Sequence, residues 1–372
     1  MSRESSTDGG LIVDKPSGAT SHDVVAVARR ALRERRIGHT GTLDPLATGV
    51  LVLLVGRATR LSQFLVSDEK EYIADVRLGV STPTYDADVR VEGDFRPKGG
   101  FRPEGAFRLK AEATEGAGSS VRLQPDDRQQ ADDRAADFRL KAEATEGAAG
   151  SFRLQPEDLE RVLSRFRGTF LQTPPPHSAK KIGGVRAYER ARKNEPMALA
   201  PVEVTVRELE IVAPDAATTA DAPRPSPLAP RFPLLRLRIV CSSGFYVRSL
   251  AHDLGQALGC GAHLEALRRT RAGRFSIGEA IPIEVLATDP DAARRAVRPM
   301  NALLADYAAV TLSADGARRA AHGNLVRPEH LAEPAGRAIE ARRVRLLDAS
   351  GALLAIAERR PDLALQPLVV LV

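Results

Sequence analysis

Asp44 is the only acid in the stretch Ile37-Gly38-His39-Thr40-Gly41-Thr42-Leu43-Asp44-Pro45-Leu46-Ala47-Thr48-Gly49. The three glycines let the backbone approach a ligand closely, and Pro45 keeps the preceding residue out of the helical region, so Asp44 is held extended. A short carboxylate on a stiff backbone serves as a nucleophile or a base. The same Asp-Pro pair also opens ordinary turns. His39, five residues earlier, has the chemistry of a general base, but no third orienting group and no Ser or Cys nucleophile accompanies it.

The elements that must hold this loop are legible from periodicity. Gly10 to Lys15 reads as a short strand that breaks at Pro16-Ser17-Gly18. Thr20 or Ser21 then caps a helix in which Val24, Val27, Ala28, Ala31 and Leu32 recur at helical spacing. Its other face carries Arg29, Arg30, Arg33 and Arg36 and leads into the Asp44 loop, so it is either a solvated face or a set of phosphate contacts. Val50 to Val55 reads as a buried strand. Lys70 to Gly79 alternates, with Tyr72, Ala74, Val76 and Leu78 on one face. Leu235, Leu237, Ile239 and Cys241 mark another strand, which stops at Ser242-Ser243-Gly244 before a helix that starts near Val247.

GHTGTLDPLATGVL resembles the catalytic signature of the TruB-type tRNA pseudouridine synthases. KPSGATS, KEY, the block from RGTFLQTPPPHSA to AYERAR, GFYVRSLAHDLG and AHLEALRRTRAG resemble further motifs of that family, in the same order. The resemblance covers about 10–94 and 155–280 well and the tail loosely. It implies that Asp44 is the catalytic aspartate and that Arg248 pairs with it, where a guanidinium favours the ionised carboxylate. It further implies that Tyr72 stacks on the target base, that Tyr246 and Leu267 line the pocket, and that His39 fills the stack vacated by a flipped nucleotide. Lys15, Arg29, Arg30, Arg33, Arg36, Arg268 and Arg269 are the expected RNA contacts. The family converts uridine 55 in the T arm of tRNA to pseudouridine, a reaction that needs no redox group, nucleotide or metal.

Composition agrees with an RNA partner without proving one. The 372 residues carry 54 Lys plus Arg against 48 Asp plus Glu, a net charge of +6, and arginine's planar fork suits phosphate. Two cysteines in a chain this long argue for a reducing compartment. Cys241, His252, Cys260 and His263 do not have the spacing of a zinc site. No apolar run reaches the length of a membrane span, so a soluble cytoplasmic protein is expected, a monomer without an obligatory protein partner.

The sequence 107–127 recurs at 138–158, and two copies are too few for a solenoid. Residues 95–154 read as a low-complexity insertion, largely disordered, and 213–231 as a second surface loop. The expected fold is α+β: a catalytic domain at 9–282 with a mixed, largely antiparallel central sheet, then a small PUA-like β-rich domain at 283–372. A guide-RNA-dependent relative and a tRNA-folding helper are the rival readings. The motif wording speaks against the first, and intact Asp44, Tyr72 and Arg248 against loss of catalysis in the second.

Overall fold

The computed structural model describes residues 8–66, 69–87, 156–177, 181–182, 185–186, 199–213, 233–333 and 341–372. The insertion expected at 95–154 and nearly all of the loop expected at 213–231 lie outside them.

The strands in chain order are β1 (Gly9–Lys15), β2 (Ile37–Thr40), β3 (Thr48–Val55), β4 (Lys70–Leu78), β5 (Gly168–Gln172), the hairpin β6 (Lys181–Ile182) and β7 (Val185–Arg186), β8 (Val202–Ile211), β9 (Leu234–Cys241), β10 (Ala262–Ala272), β11 (Phe275–Ser276), β12 (Ile281–Pro282) and β13 (Arg298–Pro299). Among the described residues, eleven of them form one sheet along β12-β1-β3-β10-β4-β9-β8-β5, with β2 on β3, β11 on β10 and β13 on β1. Every pairing in it is antiparallel except β1 with β12 and β3 with β10. The sheet is thus mixed and largely antiparallel, as the family resemblance implies.

Helices α1 (Ser21–Leu32), α2 (Pro156–Ser164) and α3 (Val247–Ala257) cover one face, where Val24, Ala28, Leu163, Leu250 and Leu254 pack on Leu51, Leu53, Ala74, Val76 and Leu237. Fully burying one such Val or Leu stabilises the fold by about 1.5–3 kcal/mol. The alternate residues of β3, Val50, Val52 and Leu54, face the other side and meet Leu61, Phe64, Leu303 and Ile356. β3 is therefore buried on both faces, which its unbroken apolar sequence requires. Beyond β3 the second face is ionic: Asp75 pairs with Arg236, Arg77 with Glu265, and Arg238 with Glu71.

Residues just past 283 stay with the large sheet. Leu286 and Ala293, in the short helices Ile283–Thr288 and Pro290–Arg295, enter the main core, and β13 pairs with β1. The second sheet, β14 (Ala308–Thr311), β15 (Arg343–Leu347), β16 (Leu353–Arg359) and β17 (Leu365–Val370), has its own core with α4 (Ala314–Ala321). Its first strand begins at Ala308, well after the boundary expected at 283, because the intervening helices have apolar faces that fit α1.

Candidate active site

The Asp44 loop is pinned from three sides. Thr20 is the helix cap, with Asp23 closing a capping box, which leaves the neighbouring Ser21 hydroxyl to donate to Leu43 O and accept from Leu43 N, at 3.1 and 3.0 Å. Lys15 Nζ donates to the carbonyls of Pro16, Ala19 and Pro45 at 2.8, 2.6 and 3.2 Å. Arg269, on β10, donates to Gly41 O at 3.0 Å and Val50 O at 2.7 Å. β3 and β10 pair in register at two positions, Thr48 with Arg268 and Gly49 with Arg269. A Cβ at Gly49 would stand 2.2 Å from Arg269 O, and its φ is +97°, so glycine is required at this contact.

Arg248 stands in the first turn of α3, nearly buried, and meets the loop there. Its Nε lies 2.9 Å from Asp44 Oδ2, while the Asp44 side chain keeps 41% of its surface exposed. The other guanidinium nitrogens donate to His177 O at 3.0 Å and Thr84 O at 3.4 Å, with Asp86 Oδ2 also 3.4 Å away. Gln172, buried at the end of β5, fixes the start of the helix, donating to Tyr246 O at 3.0 Å and accepting from Tyr246 N at 2.8 Å. Ser249 Oγ adds a 2.7 Å bond to Thr173 O. A half-exposed carboxylate therefore faces a guanidinium that cannot turn away. This arrangement leaves one edge of the carboxylate open to a substrate.

The model of the TruB family of pseudouridylate synthases, N-terminal domain, matches residues 29–98 and 133–247. That of the tRNA pseudouridylate synthase B C-terminal domain matches 248–305. A Thermobifida fusca protein named tRNA pseudouridine synthase B is 37% identical over 364 residues, 98% of each chain. One of the same name from Solibacter usitatus is 40% identical over 279 residues, 75% of this chain and 71% of that one. The chain belongs to the TruB family. Solved structures of an H/ACA ribonucleoprotein bound to a substrate RNA containing 2′-deoxyuridine (19% identity, TM-score 0.58) and of an archaeal Nop10–Cbf5 complex (20%, 0.59) share its fold, each covering 98% of this chain and 86% of the other.

Of the other residues expected from the TruB resemblance, Tyr72 senses the Asp44 charge directly. Tyr72 on β4 is buried beside Arg269, and burial pushes its phenol pKa up against the pull of that arginine, with the Asp44 charge adding to the rise. Leu267, buried on β10, offers its carbonyl to Thr48 Oγ1 at 3.4 Å. Tyr246 sits half-buried at the helix cap. His39 on β2 meets His22 edge-on at 5.6 Å between ring centroids, and its buried Nδ1 has no hydrogen-bond partner. Burial lowers the His39 pKa, and His22 and Arg269 press it the same way, so the ring is neutral near pH 7.

The expected RNA contacts divide differently. Lys15 and Arg269 are fully buried cations engaged by backbone carbonyls, so they brace the loop and present nothing to RNA. Arg268 holds Asp14 through two bonds, of 3.2 and 2.8 Å. The cluster Arg29, Arg30, Arg33 and Arg36 is exposed, and Arg29 donates to Ile37 O at 2.9 Å. Ile37 pairs with Val55 and Arg36 O accepts from Gly56 N, whereas Asp44 lies beyond Thr48, eight residues back along β3. At about 3.3 Å per residue, the cluster stands roughly 20 Å from the carboxylate. Asp86 and Gln172 were not singled out from sequence, although both lie inside segments that resemble family motifs. A signal for Asp86 was its place as the first acid after β4, in a turn dense with Thr and Pro.

Among the described residues no three His, Cys, Asp or Glu side chains converge as a metal site needs. Burial raises the Cys241 thiol to about 12, and His263 Nδ1 sits 2.7 Å from Val80 O. No helix of the described residues is long and apolar enough to cross a membrane.

Proposed function

We propose that this TruB-family protein isomerises uridine 55 in the T arm of tRNA to pseudouridine, acting in the cytoplasm as a monomer without a protein partner. The observation that carries the reading is the Asp44–Arg248 pair: one loop carboxylate, half-exposed, 2.9 Å from a guanidinium fixed by the 82–86 turn and by His177 O. The names of the Thermobifida and Solibacter relatives support the substrate.

The chemistry breaks the N1 glycosidic bond and rejoins uracil through C5, on atoms that a folded T loop hides. The nucleotide must therefore leave the stack. Asp44 then acts beside the sugar, Tyr72 supports the base, Tyr246 and Leu267 line the pocket, and His39 fills the gap in the RNA stack. A neutral, partly desolvated imidazole suits a stacking role better than a charged one. Arg29, Arg30, Arg33 and Arg36, roughly 20 Å from Asp44 by the strand rise, would hold phosphates of another part of the same tRNA. The module from Ala308 onward would act as the PUA-like contact to the acceptor side.

An unmodified tRNA transcript with chelator present tests the reading, with pseudouridine mapped by base-specific chemical derivatisation. Modification at the T-loop uridine that disappears with Asp44→Ala, while tRNA affinity stays near wild type, is the expected result. Modification elsewhere, or equal loss of binding in the variant, overturns it.

A further inference from the structure

The turn that receives Arg248 contains a backbone conformation that its sequence does not favour. Tyr85 has φ +65°, in the left-handed region where a Cβ is crowded. The turn is anchored on β10 by Leu264 N donating to Tyr85 O at 2.9 Å and Ala87 N donating to Leu264 O at 2.9 Å. It is closed internally by Thr82 Oγ1 donating to Asp86 O at 2.8 Å. In this shape Thr84 O and the Asp86 carboxylate, on either side of Tyr85, both point at Arg248. The Tyr85 ring lies flat on His252, with centroids 3.9 Å apart and planes 14° from parallel. His252 is four residues after Arg248 on α3, hence on the same side of the helix one turn further along.

We propose that Tyr85 and His252 are a pair of positioning residues: their stack latches the 82–86 turn to α3 and so fixes the Arg248 guanidinium against Asp44. The latch works by shape. The buried His252 Nδ1 has no hydrogen-bond partner, so the imidazole contributes a flat face and no bond. Asp86 and Thr84 reach Arg248 only while Tyr85 keeps its left-handed turn, and the stack holds that turn. The inference rests on the reading of Asp44 and Arg248 given above.

The test is single-turnover isomerisation and tRNA affinity for Tyr85→Gly, Tyr85→Phe, His252→Ala and His252→Phe, with Asp44→Ala as reference. Glycine relaxes the backbone while removing the ring, so any loss in that variant belongs to the stack. Tyr85→Gly and His252→Ala should each lower the rate about 10- to 100-fold with affinity within about threefold, as a small misplacement of a catalytic group does. The double variant should be no slower than the slower single one, because the two rings act as one unit. Both phenylalanine variants keep a flat ring and should react at near the wild-type rate. A wild-type rate in Tyr85→Gly overturns the latch, as do phenylalanine variants as slow as the truncations. Matching losses of rate and affinity would also overturn it, by making Tyr85 an RNA contact. An active Asp44→Ala would instead refute the underlying reading of the site, whatever the latch variants do.

Discussion

Asp75 and Asp44 each face an arginine, the first within the sheet and the second between a loop and the start of α3. Asp75 on β4 lies directly across from Arg236 on β9, joined by bonds of 2.6 and 2.8 Å, with 10% and 9% of the side chains exposed. Asp44 meets Arg248 through Nε alone and stays 41% exposed. Strand register makes the first pair, which uses both carboxylate oxygens and leaves nothing for chemistry. The second is assembled from a loop, a helix start and a turn, and its rigid member is the arginine. A structural pair immobilises both partners, whereas a reactive one immobilises the partner and leaves the carboxylate an open edge.

The comparison breaks most visibly at Asp44. Asp44→Ala should lower isomerisation by at least about 10⁴-fold, as loss of a nucleophile does in other enzymes. Its half-exposed carboxylate should change stability by less than about 1 kcal/mol in urea unfolding. Asp75→Ala should do the reverse. It removes the bidentate partner of a buried guanidinium and should cost about 3–5 kcal/mol, while the folded fraction turns over at the wild-type rate. Replacing both members with apolar residues, Asp75→Leu with Arg236→Met, should recover most of that loss in the same urea series. If Asp75→Ala lowers the rate of the folded protein as far as Asp44→Ala does, the division between the pairs is wrong.

Arg248→Lys sharpens the same contrast with a smaller effect. An ammonium keeps the charge near Asp44 but cannot also reach His177 O and Thr84 O in the planar pattern seen here. The single-turnover rate should fall about 100-fold, because the carboxylate loses a partner of fixed orientation. A rate equal to wild type would mean that charge alone matters.

How much of this was readable before folding depends on how far each residue acts through the chain's own neighbours. Asp44 and Arg248 sit in motif-like segments, and alternation placed Tyr72, Val76 and Leu237 on the correct face. Lys15 and Arg269 were misjudged because a cation's ordinary place is the surface, and only the tertiary fold surrounds these two with carbonyls. Gly49 was the available hint, since its Cβ-free approach is what admits the Arg269 backbone. The arginine cluster lies farther from Asp44 than its place in the sequence suggests. Nearness in sequence to Asp44 hides a helix of 12 residues, about 18 Å long, that starts at the site and carries its last turn away. The chain after 283 is a similar case: the short helices that follow pack on α1, while the sheet beyond them forms a separate core.

Asp253 on α3 supplies the missing third case, a carboxyl whose pKa is set by burial with no arginine contributing, and burial raises it to about 6. Between the ordinary pKa of 3.8 and that value the folded state holds a proton that the unfolded chain has released, so this group's contribution to stability falls as pH rises through the interval. It is flat above and below. Asp253→Asn removes the titration and keeps the shape, so its stability relative to wild type should increase from pH 4 to pH 6.5 and then level off, as read by urea unfolding at each pH. Asp75 and Asp44 differ from it in facing a guanidinium. A relative stability for Asp253→Asn that stays constant across this range would show that the carboxyl already has a charged partner, and burial beside the site would then not distinguish it from the two paired aspartates.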